Sequence, residues 1–570
     1  MDVSSAPDHP APEQYRHPCA WDAPLAALTV PALLERSAAA APDAPAIDFL
    51  GRIYSYGQVL EEAQRVAAGL TARGIGPGDR VGLFLPNVPI YLSAYYGAML
   101  AGAVVVNFSP LYTADELAAQ VADSGARMLV TVDVASLLPT ALKVLDGSAL
   151  ETLVVGSLGA MLPWPKRVAL KVLGRKSLAA VPKRPDVSRW GELLAEPNWS
   201  AFLGERQPEL PQVAPDDLAL LQYTGGTTGR PKGAMLSHAN LASNALQVEA
   251  IDPDRHARDV ILGVLPMFHV FANTCVLNRT VAKGGCIAML PRFEAGQALK
   301  TLQRVKATAF PGVPTMYQAL LDHPRLAKTD FSSLRVCISG GAPLPAPVRE
   351  QWESATGSRL VEGYGLTESS GVVSTNPYEG MRKQGTIGQV LPHTRVRLLD
   401  KEDASRAAPV GEPGELVVAG PQIMQGYWNR PEAAADAFAD IDGARWLRTG
   451  DVAEIDADGF IAIVDRIKDM IAVGGFKVFP SQVEAVLVEH PAVKEALVLG
   501  LPDAYHGEMP RAYVTLDEGA AATGEELAGW LNTRVGKHER VSAVEVRTEL
   551  PKTMIGKLDR KALKAEVLSD

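Results

Sequence analysis

The chain predicts an α/β fold made of more than one domain, on three observations. Helix-like and strand-like runs alternate along its first half, as they do where crossover helices join strands of a sheet. Its 570 residues exceed what one hydrophobic core supports. The stretch from Val81 to Ala114 carries no charge, which suits a fully buried segment. That stretch is also long enough to cross a bilayer. However, Pro86, Asn87 and Pro89 interrupt it early, and Gly97, Gly102, Asn107 and Pro110 interrupt it again. A buried strand (Val81–Leu85), helix (about Ile90–Leu100) and strand (Ala103–Asn107) is therefore expected rather than a membrane span.

The flanking elements follow the same logic. Leu33 to Ala41 has a helical pattern. Tyr56 to Arg73 is a second helix on an apolar stripe, ended by Gly74-Ile75-Gly76-Pro77-Gly78, and Met128–Val132 and Leu153–Val155 are strands. Apolar residues make up 47% and charged residues 21%, the balance of a globular protein. A net charge of −10 argues against a nucleic-acid partner, so any anionic ligand must be met by local cations. Cys19, Cys275, Cys286 and Cys337 show no C-x-x-C spacing and read as reduced thiols of a cytoplasmic protein. The start lacks the basic and apolar regions of a signal peptide. One local exception to the acidic balance runs from Pro163 to Arg184, where seven Lys and Arg occur with no acid between Glu151 and Asp186. Arg167, Lys171 and Arg175 would share a helix face able to lie on anionic lipid. Trp164 and Val168 fall on that face too, so amphipathicity is poor and a solvated basic loop is expected.

The stretch Tyr223-Thr224-Gly225-Gly226-Thr227-Thr228-Gly229-Arg230-Pro231-Lys232-Gly233 follows an apolar strand. It can turn sharply and bare its N–H groups to phosphate. It is not a Walker A loop, because Pro231 stands where that motif needs glycine. A plain Gly/Thr hairpin would not need three hydroxyls with Arg230 and Lys232. Farther on, Leu262–Leu265 reads as a strand leading to Phe268 and His269, the latter a packed core histidine or a pocket residue. Ala309–Thr315 and Val336–Pro343 each run from strand into a Gly/Pro turn, where a flat ring can approach the backbone of Gly341, Ala342 and Pro343. In Glu362-Gly363-Tyr364-Gly365-Leu366-Thr367-Glu368, Tyr364 can lie against a base between two glycines, while Thr367 and Glu368 offer oxygens to a nucleotide-bound Mg²⁺. Asp451, after the glycine turn at Gly450, can accept from both ribose hydroxyls or serve as a turn acid. Asp465–Asp469 is a charged connector after the strand Phe460–Val464 and before the Gly474-Gly475 turn, a natural domain boundary.

These segments, with Pro551-Lys552-Thr553-Met554-Ile555-Gly556-Lys557, occur in the order and spacing of the adenylate-forming superfamily. The chain resembles acyl-CoA synthetases, most closely bacterial long-chain fatty-acid–CoA ligases, from about Leu33 to Leu563. The resemblance implies a large N-terminal α/β domain of several subdomains (1–464) and a small mobile C-terminal α+β domain (465–570) hinged at Lys468. It implies ATP, Mg²⁺ and CoA as cofactor and co-substrates. The nucleotide site would comprise Thr224, Gly225, Gly226, Thr227, Thr228, Gly229, Gly341–Pro343, Gly363–Gly365, Thr367, Asp451 and Arg466. Lys232, Thr367, Glu368 and Lys557 would be catalytic, with Glu368 holding the metal. Gly474, Gly475, Phe476 and Lys477 would face CoA, and Phe268, His269 and Thr315 the acyl chain. A dozen buried methylenes would supply roughly 10 kcal/mol, so chain length should govern affinity. The chain departs from its relatives at Asn107-Phe108-Ser109-Pro110 and Ser369-Ser370-Gly371, which leaves medium-chain or dicarboxylic acids as alternatives. An acyl-AMP ligase serving a carrier protein and a non-catalytic fatty-acid-binding partner of a membrane are the other readings. Peripheral contact with the inner membrane and a homodimer stay open.

Overall fold

The computed structural model describes residues 14–195, 210–224, 231–254, 258–400, 403, 406–409, 411–473, 476–503, 505–553 and 557–569. Two compact units emerge. The larger comprises Tyr15–Thr394 and Ala419–Phe438. The other comprises Arg395–Val418 and Ala439–Asp570, and Gln14 attaches to it through the carbonyl of Ala457.

The larger unit carries two sheets. In the first, the strands Leu218–Thr224, Val104–Asn107, Arg80–Leu83, Met128–Val132, Thr152–Gly156 and Val187–Arg189 run parallel side by side. Lys232–Ser237 and Gly426–Tyr427 extend its other edge antiparallel. In the second, Arg359–Tyr364, Val336–Gly340, Ala309–Gly312, Val260–Gly263, Cys286–Met289 and Pro45–Phe49 run parallel, with antiparallel strands at both ends.

The uncharged run folds as expected: strand Arg80–Leu83, helix Pro89–Leu100, strand Val104–Asn107. Pro89 opens that helix, where its missing N–H costs nothing, and all of its residues are buried. It packs on helix Tyr56–Ala72 so closely that a Cβ on Gly97 would sit 2.6 Å from Ala63 O. A glycine is therefore required at that crossing. Among the described residues no helix is long and apolar enough to cross a membrane. The first helix begins at Val30, earlier than expected, because Thr29 caps it and Pro31 fits its first turn. The basic stretch departs more: Trp164–Leu173 is a helix, with no buried residue.

The second unit holds a sheet of Arg395–Leu399, Gly414–Ala419, Ala444–Ile455, Phe438–Ile441 and Ile461–Arg466, and another of Phe476–Val478, Ile471–Val473, Gly507–Leu516, Val493–Asp503 and Val544–Val546. Helices Pro480–Val488 and Gly524–Asn532 close the core of the latter around Val483, Leu487, Leu527 and Leu531. Position 464/465 falls inside strand Ile461–Arg466, within this unit. The expected connector is more ordered than its charge suggests. Strand Ile461–Arg466 runs through it, because buried Asp465 accepts from Ser481 N (2.8 Å) and Ser481 Oγ (3.1 Å).

Candidate functional site

Four sequence-predicted segments leave the second sheet of the larger unit at the carboxyl ends of parallel strands, where α/β sheets bind ligands. Gly312 aligns with Ser339, and Gly340 with Gly363, so Gly341-Ala342-Pro343 and Tyr364-Gly365 start from neighbouring strands. Gly341 has φ +86°, a left-handed conformation that favours glycine. Gly365 is sterically obligatory, since a Cβ there would lie 2.1 Å from Gly371 O. Beyond it, Thr367–Ser369 makes a short 3₁₀ turn. The turn is pinned by Ser369 Oγ accepting from Leu366 N (2.9 Å), by Thr274 Oγ1 donating to Ser370 O (2.6 Å) and by Ser370 Oγ donating to Gln422 O (2.8 Å). Ser369 and Ser370 thus fix the backbone that carries Glu368. Next to these turns, burial pushes the Glu362 carboxyl up to about 8, while Leu344 N donates to it.

The phosphate-loop candidate joins antiparallel strands in which Thr224 faces Lys232. Gly225, Gly226, Thr227, Thr228, Gly229 and Arg230 lie outside the described residues. Lys232 and Glu368 meet on one side chain that sequence reasoning missed. Tyr427 donates its hydroxyl to Glu368 Oε1 at 2.6 Å, and its ring centroid lies 5.1 Å from Lys232 Nζ. Burial, with the Glu368 charge, drives the phenol far above its ordinary pKa, so it stays a donor. Met424 N also donates to Glu368 O (2.8 Å), and Tyr427 pairs with Ala234 on the edge strand. A second brace holds the hairpin's base: Asp123 accepts from Tyr223 (2.7 Å) and Arg430 (2.6 Å). The only sequence signal for Tyr427 is an aromatic pair, Tyr427-Trp428, directly after Gly426.

Phe268 and His269 are partly buried. His269 Nδ1 accepts from Phe271 N (3.3 Å), capping the helical turn that follows. Thr315 is exposed near the start of helix Pro314–Leu321. Behind Met267 lies a buried polar chain: the single Tyr91 hydroxyl proton is shared between Asn107 Oδ1 (2.8 Å) and Met267 O (2.9 Å), and Asn107 donates to Gln222 (3.1 Å). Asn107 therefore has a structural task, tying strand to helix to loop.

In the second unit, Asp451 stands within the long strand Ala444–Ile455 rather than after a turn, because Gly450, at φ +71°, bends the strand without ending it. Asp451 is 1% exposed and pairs with Arg466 Nε (2.9 Å) across the ladder. Burial, then the Arg466 charge, push the Lys557 amine down to about 8, with Asp451 opposing. Lys468 is lowered for the same two leading reasons. Asp451 beside Arg466 and Lys557 suits an anionic ligand that also offers hydroxyls. The Lys557 backbone N–H donates to Thr553 Oγ1 (3.2 Å). The turn Ile467–Asp469 is tied down by Arg560, which pairs with Asp469 (3.0 Å) and Glu484. Lys477 is exposed on the short strand Phe476–Val478, and Gly474 and Gly475 lie outside the described residues.

Among the described residues no group of three or more His, Cys, Asp or Glu could hold a metal. Mg²⁺ needs none, since it binds through one or two carboxylates with waters and substrate phosphates. Glu368, fixed by Tyr427, is a donor of that kind.

The AMP-binding enzyme family model matches residues 34–428, and that of the AMP-binding enzyme C-terminal domain matches residues 482–557. The chain is 39% identical to a Bacillus subtilis long-chain-fatty-acid–CoA ligase over 97% of both chains. It is 38% identical to an Escherichia coli protein of the same name over 94% of both. Its fold superposes on ATP-bound MatB from Rhodopseudomonas palustris with a TM-score of 0.80 and 31% identity, covering 95% of this chain and 99% of that one.

Proposed function

Because the chain belongs to the AMP-binding enzyme family, we propose that it is an AMP-forming long-chain fatty-acid–CoA ligase. The observation that carries the site assignment is the convergence of Lys232 and Glu368 on Tyr427. It sets a cation, on the strand that follows the Gly/Thr stretch in sequence, near a carboxylate of the type that ligates Mg²⁺.

In the first half-reaction a carboxylate oxygen of the fatty acid attacks the α-phosphorus of ATP. The bond to the β-phosphate oxygen breaks, and pyrophosphate leaves. Two anions must approach one another, so positioning and charge neutralisation dominate catalysis. Lys232 and the N–H groups of the loop receive the β- and γ-phosphates. Glu368, with Thr367, would hold Mg²⁺, which when bound supplies further positive charge to those phosphates. Gly341-Ala342-Pro343 and Gly363-Tyr364-Gly365 offer flat backbone and a ring to adenine. Asp451 accepts from the ribose hydroxyls beside Arg466, and Lys557 binds the attacking carboxylate and the α-phosphate.

In the second half-reaction the CoA sulfur attacks the acyl carbon of the adenylate and AMP leaves. We assign the switch to the segment from 465 onward turning about Lys468, which withdraws Lys557 and presents Gly474–Lys477 to the pantetheine arm. Phe268, His269 and Thr315 contribute to the acyl site. The enzyme works as a peripheral protein at a membrane surface, where long-chain acids partition.

AMP release measured with ATP and CoA over octanoate, hexadecanoate, hexanedioate and an aromatic acid tests the reading. Turnover that requires CoA and rises in kcat/KM from octanoate to hexadecanoate is expected. Adenylate formation indifferent to CoA would assign the chain to carrier-protein loading instead, and a preference for hexanedioate would overturn the substrate.

A further inference from the structure

We propose that helix Trp164–Leu173 is the face by which this protein docks on an anionic lipid surface. No residue of the helix is buried, and Trp164, Val168, Val172 and Leu173 are each at least half exposed. An apolar cluster of that kind on one short surface helix calls for a partner. Trp164, Val168 and Val172 recur at every fourth residue and share one stripe, while Arg167 and Lys171 run alongside it. Apolar residues flanked by cations are what an interfacial helix presents to headgroups and acyl chains.

The opposite side anchors the helix to the body of the larger unit. Lys166 Nζ donates to Leu50 O (2.9 Å), and just upstream Tyr54 donates to Met161 O (3.0 Å) and Arg52 to Ala160 O. The stripe is thus held outward rather than free to fold back.

Charge identifies the occupant. The chain as a whole carries −10, which would hold it away from an anionic membrane, yet no acid occurs between Glu151 and Asp186. Arg184 is already engaged by Asp146 and Asp186, which leaves Arg167, Lys171, Lys176 and Lys183 for headgroups. A local reversal of sign around an exposed apolar stripe fits anionic lipid. The fatty-acid reading supplies only the purpose of such docking, namely access to acids dissolved in the bilayer.

The test is sedimentation of the full chain with vesicles of phosphatidylcholine alone or mixed with phosphatidylglycerol, without ATP, acid or CoA. It can therefore fail while ligase activity stands, and the reverse. Wild type should bind the mixed vesicles, weakly the neutral ones, and less as salt rises. Arg167→Gln with Lys171→Gln should lower the partition coefficient by about 30-fold, as expected for losing two cations near an anionic surface. Val168→Ser with Val172→Ser should weaken it at least tenfold, while kcat/KM for octanoate stays unchanged. Brominated lipid should quench a tryptophan signal that Trp164→Phe removes. Unchanged binding of both double variants, equal binding of wild type to neutral vesicles, or absence of quenching would overturn the proposal. So would a wild-type dimer that the charge variant splits, which would give the face to a second copy.

Discussion

Changing Lys557 to alanine separates the two half-reactions. Burial and the neighbouring Arg466 hold its amine at about 8, so the cationic fraction falls from about nine-tenths at pH 7 to about one-tenth at pH 9. A group that stabilises developing negative charge works only as the cation. In wild type, kcat/KM for ATP in pyrophosphate release should therefore drop about tenfold across that interval, since this ratio reports the free enzyme. Arg466→Gln removes the repulsion and should move the alkaline limb to higher pH. Lys557→Ala removes the charge altogether, and loss of one preorganised charge-stabilising group costs about 100- to 1,000-fold in rate. Thioester formation from supplied hexadecanoyl adenylate and CoA should fall by less than about threefold, because the amine has no part in sulfur attack. Equal losses in both assays, or a flat profile through pH 8 in wild type, would refute the role.

Three further outcomes follow from particular contacts. Tyr427→Phe keeps the ring beside Lys232 but removes the hydroxyl that Glu368 accepts. Hydrogen bonds to charged groups are worth about 1.5–3 kcal/mol, so adenylation should fall about 10- to 100-fold with a raised Mg²⁺ requirement, read by titrating Mg²⁺. Gly365→Ala forces a methyl to within 2.1 Å of Gly371 O. Overpacking of this kind costs about 1–3 kcal/mol and should displace Glu368, giving a lower Tm together with lost adenylation; retention of both would contradict the fit. His17 and His238 are buried and held neutral, each lowered to about 4 by burial. Below their unfolded value of 6.5 the unfolded chain binds the extra protons, so stability falls as pH drops from 6.5 toward 4. At pH 5 each should cost about 2 kcal/mol, visible as a lower urea midpoint than at pH 7.

Much of the site's frame was legible because strand-to-glycine turns are local in sequence. Gly341, Gly365 and Glu368 follow strand ends that the residue pattern marks, and the buried strand-helix-strand at Arg80–Asn107 follows from an uncharged run cut by proline and glycine. What escaped was non-local. Tyr427 acts on Glu368 from 59 residues away, and an aromatic after a glycine says nothing about which carboxylate it will meet. Gly450 reads as a turn, yet the ladder from Asp451 to Arg466 keeps the strand continuous through it. The basic stretch reads as a loop because Trp164 and Val168 fall on the same face as its cations, which makes its amphipathicity poor. As a helix, its apolar stripe and its cations lie side by side on the surface. Asn107 reads as part of a substrate-related motif, whereas its amide is spent on Tyr91 and Gln222.

The most direct test of the account is a single-turnover chase with hexadecanoate and ATP first and CoA afterwards. A burst of pyrophosphate stoichiometric with enzyme before CoA is added, followed by conversion of the bound hexadecanoyl adenylate to hexadecanoyl-CoA with release of AMP, is the predicted result. Absence of adenylate until CoA is present, or an adenylate that CoA does not consume, would contradict it.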